Sequence, residues 1–119
     1  MNILLDHCVP KPFRREFPAH DVKTTAQMGW EDVRNGELLS MAAKSFDVFV
    51  TVDKKMKREQ SLATLPISVI VLDAVKNTPE VLRPFAPFVE RVLKTIGVGQ
   101  MLEIDGNGGI TMIAPGRSE

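Results

Sequence analysis

The chain has 119 residues, 44% of them hydrophobic and 25% charged, with 15 basic and 15 acidic side chains balancing to a formal net charge of zero. This length suits one domain that can bury a core without staples, and the balanced charge excludes a bulk basic field, so any nucleic-acid contact has to be local. A single cysteine, Cys8, excludes an internal disulfide and fits a reducing compartment, and no apolar run approaches the roughly 20 residues of a membrane span.

Met1-Asn2-Ile3 leads straight into a strand with no signal-peptide layout, so a cytoplasmic location is expected. Asn2 to Leu5 is a short apolar strand that ends at Asp6. Pro10 and Pro12 open a helix, where a missing N–H costs little in the first turn. Phe13 and Phe17, four apart, mark its core face, and Pro18 stops it. His20 to Thr25 carries β-branched residues and reads as a second, weaker strand. Met28-Gly29-Trp30 leaves it through a loop, with Trp30 placed to plug an edge of the core. Asn35 reads as the N-cap of a helix running to about Ser45, with Glu37 in its first turn and Leu38, Leu39, Met41 and Ala42 at helical spacing.

The next stretch, Phe46 to Asp53, is the one around which the rest is organised. Val48 to Val52 is nearly continuously apolar, as in a strand of a parallel sheet buried on both faces. It ends on Asp53, followed by Lys54 and Lys55. Lys54 to Leu62 is polar and reads as a loop or short helix over the strand end. Pro66 breaks it, and Ile67 to Leu72 is a second fully buried strand ending at Asp73. Thr78-Pro79-Glu80 starts a helix: a cap, a proline at the first position and an acid in the first turn. Pro84 and Pro87 lie inside the helical run beyond it and predict a kink or two short helices, with Gly97 as the end. Met101 to Ile104 and Ile110 to Ile113, joined by Asp105-Gly106-Asn107-Gly108-Gly109, predict a terminal β-hairpin. Alternating strands and helices make this one α/β domain over residues 1–119, with a mainly parallel sheet.

In such sheets ligands bind outside the carboxyl ends of the strands. Asp6 and Asp53 each end a strand, and Glu37 starts the helix leading into the Asp53 strand. Right-handed crossovers place all three on one edge. Carboxylates gathered at a point repel one another unless a cation lies between them, and oxygen-only coordination suits Mg²⁺ or Mn²⁺. Such an ion lowers the pKa of a bound water and neutralises charge on a phosphodiester. Each acid also has a local explanation: Glu37 favours the helix dipole, and Asp53 can cap the segment after its strand. Lys54, Lys55, Lys57 and Arg58 form a basic cluster beside Asp53, either a solvated face or a grip on a phosphate backbone. Cys8 with His7 lacks the second Cys/His pair of a zinc site.

At these residues the chain resembles the small PIN-like proteins filed as a family of unknown function, which look like the toxin nucleases of bacterial toxin–antitoxin modules. The resemblance runs through Ile3-Leu4-Leu5-Asp6, Pro10, Met28-Gly29-Trp30, Asn35-Gly36-Glu37-Leu38-Leu39, Phe46 to Asp53, Gln60 and Ile67 to Leu72, roughly the first two-thirds of the chain. It implies a PIN-like three-layer α/β/α sandwich and a Mg²⁺- or Mn²⁺-dependent endoribonuclease site. Asp6, Glu37 and Asp53 fall on the acidic positions that would hold the metal and carry catalysis, with Asn35 and Thr51 around them and Lys54, Lys55, Lys57 and Arg58 toward RNA. The expected partners are RNA as substrate, an antitoxin protein and a second copy of the chain. The chain departs from the family where Asp6 is followed by His7 rather than another acid, where Asn35 stands for Asp, and where Lys55 stands for a further acid. Two rival readings are a non-catalytic PIN-like module binding RNA or a protein, and a phosphoacceptor receiver-like domain built around Asp53. The second lacks a paired acid on the first strand.

Overall fold

The two continuously apolar segments become the centre of a six-stranded sheet, in a computed structural model that describes residues 1–116. They form β3 (Val48–Thr51) and β4 (Ser68–Leu72), buried at every position. Around them lie β1 (Asn2–Leu5), β2 (Asp21–Thr24), β5 (Gln100–Ile104) and β6 (Ile110–Pro115), in the order β2-β1-β3-β4-β5-β6. All pairings are parallel except β5 with β6, which form the expected hairpin.

Successive side chains in a strand point to opposite faces, and here each face has its own core. Ile3, Leu5, Val48, Val50, Ile70 and Leu72 pack with Phe13, Phe17, Leu82, Phe85 and Val89. Leu4, Phe49, Val69 and Val71 pack on the other side with Leu38, Leu39, Ala42 and Met56. The central strands therefore carry no polar face, and helices cover both sides of the sheet.

The connecting helices are short. Pro10 to Phe17 forms a 3₁₀ helix over Lys11–Glu16 rather than an α-helix, with Phe13 and Phe17 in edge-to-face contact at 5.1 Å. Its i→i+3 bonds include those from the Phe13 N–H to the Pro10 carbonyl at 3.0 Å and from the Phe17 N–H to the Arg14 carbonyl at 3.3 Å. After β2, a single turn, α1 (Thr25–Met28), begins at the last residue of the expected strand and runs into the loop at Met28-Gly29-Trp30. Thr24 and Gln27 close a reciprocal cap at its start, and Gly29 at φ +73° ends it, a conformation glycine adopts without a Cβ clash. Trp30 is half-buried against Phe46, with ring centroids 6.1 Å apart. The next helix, α2 (Asn35–Ala42), takes Arg34 as its N-cap, so Asn35 is its first helical residue rather than its cap. The polar segment after β3 contains α3 (Met56–Glu59) and a 3₁₀ turn, Leu62–Thr64. The two prolines break the last helix as the sequence predicts, into α4 (Pro79–Leu82), a 3₁₀ turn (Arg83–Phe85) and α5 (Ala86–Leu93). Among the described residues no helix is long and apolar enough to cross a membrane.

Candidate functional site at the carboxyl ends of β1 and β3

From β1 the chain goes to β2 on one side, and the sheet then continues from β1 through β3 on the other. The winding reverses between β1 and β3, and ligands of doubly wound sheets bind in the crevice outside such a switch point. Asp6 follows β1 there, its N–H still bonded to the Val50 carbonyl at 2.9 Å. Thr51, Val52 and Asp53 leave β3 beside it.

Asp6 is 1% exposed. Burying a carboxylate is costly unless hydrogen bonds replace its water, and four do so. Oδ1 accepts the His7 backbone N–H at 2.8 Å and lies 2.9 Å from His7 Nδ1. Oδ2 accepts the Thr51 hydroxyl at 2.8 Å and the Cys8 thiol at 3.6 Å. Thr51, fully buried, in turn accepts the Asp53 N–H at 3.0 Å. One hydroxyl thus ties the end of β1 to the turn after β3.

The other expected site residues lie in different circumstances. Asp53 Oδ1 accepts the Lys55 N–H at 3.0 Å, and its carbonyl accepts the Met56 N–H at 3.2 Å, so the residue shapes the turn into α3. Glu37 is exposed in the first turn of α2, and its side chain makes no hydrogen bond or ion pair among the described residues. Asn35 is half-buried beside it in the same turn. Within the basic cluster, Lys54 reaches Asp73 Oδ1 at 2.6 Å and Lys57 reaches Glu103 Oε2 at 2.7 Å. Lys55 and Arg58 are exposed, with side chains in no ion pair among the described residues.

For Mg²⁺ or Mn²⁺ the donor atoms have the right chemistry, since all are carboxylate oxygens. Their arrangement does not fit a three-carboxylate cage: both Asp6 oxygens already accept protein donors, and Glu37 stands apart. Among the described residues no three His, Cys, Asp or Glu side chains are grouped so as to hold a metal ion.

His7 is the member of the site that sequence reasoning did not place among the site residues, having weighed it as half of a zinc pair and as a departure from the family's acidic pattern. The signal was its position directly after a strand-ending acid. With Asp6, Val9, Pro10, Lys11, Thr24, Ala26 and Glu31 it lines a cleft of about 220 Å³. Burial pushes the Cys8 thiol above its ordinary range; the Thr51 hydrogen bond opposes this and the Asp6 charge reinforces it. Protein-family models, curated proteins and solved structures all fail to match the chain.

Proposed function

We propose that the protein is a PIN-like domain of endoribonuclease type that takes single-stranded RNA across the carboxyl edge of its sheet, at β1 and β3. The observation that carries this reading is the buried Asp6 carboxylate at the switch point, beside an open cleft. A buried charge contributes little to stability compared with an apolar residue of the same size, and ionisable groups held in clefts are candidates for function. The sequence resemblance to PIN-like toxin nucleases supplies RNA as the substrate class, and with it an antitoxin as the partner of a toxin. The hydrogen bonding of Asp6 and the position of Glu37 favour the Mg²⁺ or Mn²⁺ ion that the resemblance implies less than they favour an ion-free site.

A second reading is a non-catalytic module that keeps the fold and binds RNA or protein. It is favoured by the complete hydrogen bonding of Asp6 and the isolation of Glu37. Fluorescence anisotropy with a mixed-sequence RNA, run beside a cleavage assay in chelator and in Mn²⁺, separates the two. Binding with cleavage that Asp6→Asn removes supports the nuclease. Binding without cleavage in either buffer supports the module, and an absence of both removes RNA as the ligand.

A further inference from the structure

We infer that His7 is a catalytic base held by Asp6, and that the cleft beside it cleaves RNA by internal transfer from the ribose 2′-hydroxyl, without a metal ion. The inference rests on the reading of RNA as substrate and adds to it the attacking group and the products.

Asp6 Oδ1 meets His7 twice, through its backbone N–H at 2.8 Å and its ring Nδ1 at 2.9 Å. The carboxylate is itself fixed from the other side by Thr51. The Thr51 hydroxyl is the donor in that bond, and its lone pair takes the Asp53 N–H. Asp6 is therefore surrounded by donors, and its oxygens serve as acceptors. In the neutral ring, a bond donated to that carboxylate puts the proton on Nδ1 and leaves the lone pair on Nε2. The His7 side chain is 67% exposed while Asp6 is 1% exposed, so a buried carboxylate orients a ring that is open to solvent. A carboxylate fixing Nδ1–H while Nε2 takes a proton is the arrangement of an oriented general base.

Among the described residues, neither Cys8 nor Thr24, the thiol and hydroxyl beside the cleft, stands ready as a nucleophile for that base. Cys8 Sγ lies against Asp6 Oδ2 and Thr51 Oγ1, and its thiol is held protonated by burial. The Thr24 hydroxyl accepts the Gln27 N–H in its cap. The attacking group is then water or a hydroxyl of the substrate; RNA carries such a hydroxyl next to each phosphorus, and the product ends tell the two apart. His7 Nε2 takes the 2′-hydroxyl proton as the 2′-oxygen bonds to phosphorus. The bond from phosphorus to the 5′-oxygen breaks, and that oxygen takes a proton from water. His7 then returns its own proton to solvent, so no water is consumed overall. The products are a 2′,3′-cyclic phosphate and a 5′-hydroxyl. The charged groups lining the cleft are Asp6, His7, Lys11 and Glu31. Lys11 is the cation available to the phosphorane, whose developing charge such a group stabilises. At about 220 Å³ the cleft suits one ribose–phosphate unit rather than a whole ligand.

The test incubates the full chain with a mixed-sequence single-stranded RNA in chelator and identifies the product ends. Cleavage leaving 2′,3′-cyclic phosphate is expected, with the 2′-O-methyl RNA and the DNA of the same sequence left intact. His7→Gln, at an exposed position, should fold normally and lose about 100-fold or more in rate, and added imidazole should restore part of the rate of His7→Ala. Asp6→Asn risks the fold, so its positioning role is read in the wild type by long-range ¹H–¹⁵N NMR of the ring, where an Nδ1–H tautomer is expected. Cleavage only with Mn²⁺ and leaving 5′-phosphate ends would overturn this inference while keeping the nuclease. RNA binding without any cleavage would overturn it in favour of the non-catalytic module. A predominant Nε2–H tautomer, or full activity in His7→Gln, would remove His7 from the chemistry.

Discussion

The Thr51 hydroxyl donates to Asp6 Oδ2 at 2.8 Å across a separation of 45 residues, joining the ends of two adjacent parallel strands. The same oxygen accepts the Asp53 N–H, so the strand-ending acids are coupled through one buried side chain.

That coupling sets the expected cost of losing it. Thr51→Val keeps the shape but removes a donor from a buried carboxylate and an acceptor from the Asp53 N–H. An unsatisfied buried group costs about 1–3 kcal/mol. Urea unfolding should show a loss of that size, with Thr51→Ser closer to wild type than Thr51→Val. Equal losses in the two would mean that the methyl group matters and the hydroxyl does not.

Asp6 and Glu37 should behave differently, one buried after β1 and the other exposed in the first turn of α2. Glu37→Gln removes an exposed charge from the first turn of α2 and should cost about 0.3–1 kcal/mol through the helix dipole. Asp6→Asn places an amide nitrogen among donors and should cost about 1–3 kcal/mol. Denaturation of both variants in chelator checks the order. If both proved as stable as wild type, relief of mutual carboxylate repulsion would be the better account, and the two acids would have to approach each other.

The thiol of Cys8 should resist alkylation. Burial raises its pKa above the ordinary 9.0, so the folded protein holds this proton more tightly than the unfolded chain does. The resulting stability is complete below pH 9.0 and is lost as pH rises through the folded-state value. Reaction with iodoacetamide near pH 8 should be slower than for free cysteine and should recover in denaturant. Stability measured across pH 8 to 11 should decline more in wild type than in Cys8→Ser. A fast native reaction would show that the side chain is not held in the Asp6–Thr51 network.

The basic cluster should divide into two pairs. Lys54 and Lys57 are engaged by Asp73 and Glu103, whereas Lys55 and Arg58 are open to a polyanion. If the cluster meets RNA, Lys55→Ala with Arg58→Ala should flatten the dependence of log affinity on log salt by about 0.7 for each phosphate no longer neutralised. Lys54→Ala with Lys57→Ala should change it less and should loosen the packing of α3 instead. Anisotropy titrations at several salt concentrations measure both. An unchanged slope in the first pair would make the cluster ordinary solvated surface.

What the amino-acid sequence determined by itself was local. The nearly continuous apolar character of Val48 to Val52 and Ile67 to Leu72 required strands buried on both faces, and hence a mainly parallel sheet with helices on both sides. The cap at Thr78, the breaks at Pro84 and Pro87 and the Gly-rich turn before Ile110 were legible because their causes lie within a few residues. The placement of strand ends and helix starts on one edge also came from the sequence, through the handedness of crossovers. The tertiary structure decided which groups on that edge touch. Whether Asp6 meets a metal ion, a lysine or a hydroxyl depends on the β1–β3 register, which pairs Leu5 with Val50 and so brings Thr51 beside Asp6. Lys54 meets Asp73, two strand ends that only the β3–β4 pairing brings close. Even the adjacent His7 was undecided, because its ring could turn to Asp6 or to solvent. The Thr51 hydroxyl, donated from 45 residues away, fixes the carboxylate that holds it. Long-range contacts of this kind carry no period and no spacing in the sequence, since each depends on how separate segments pack.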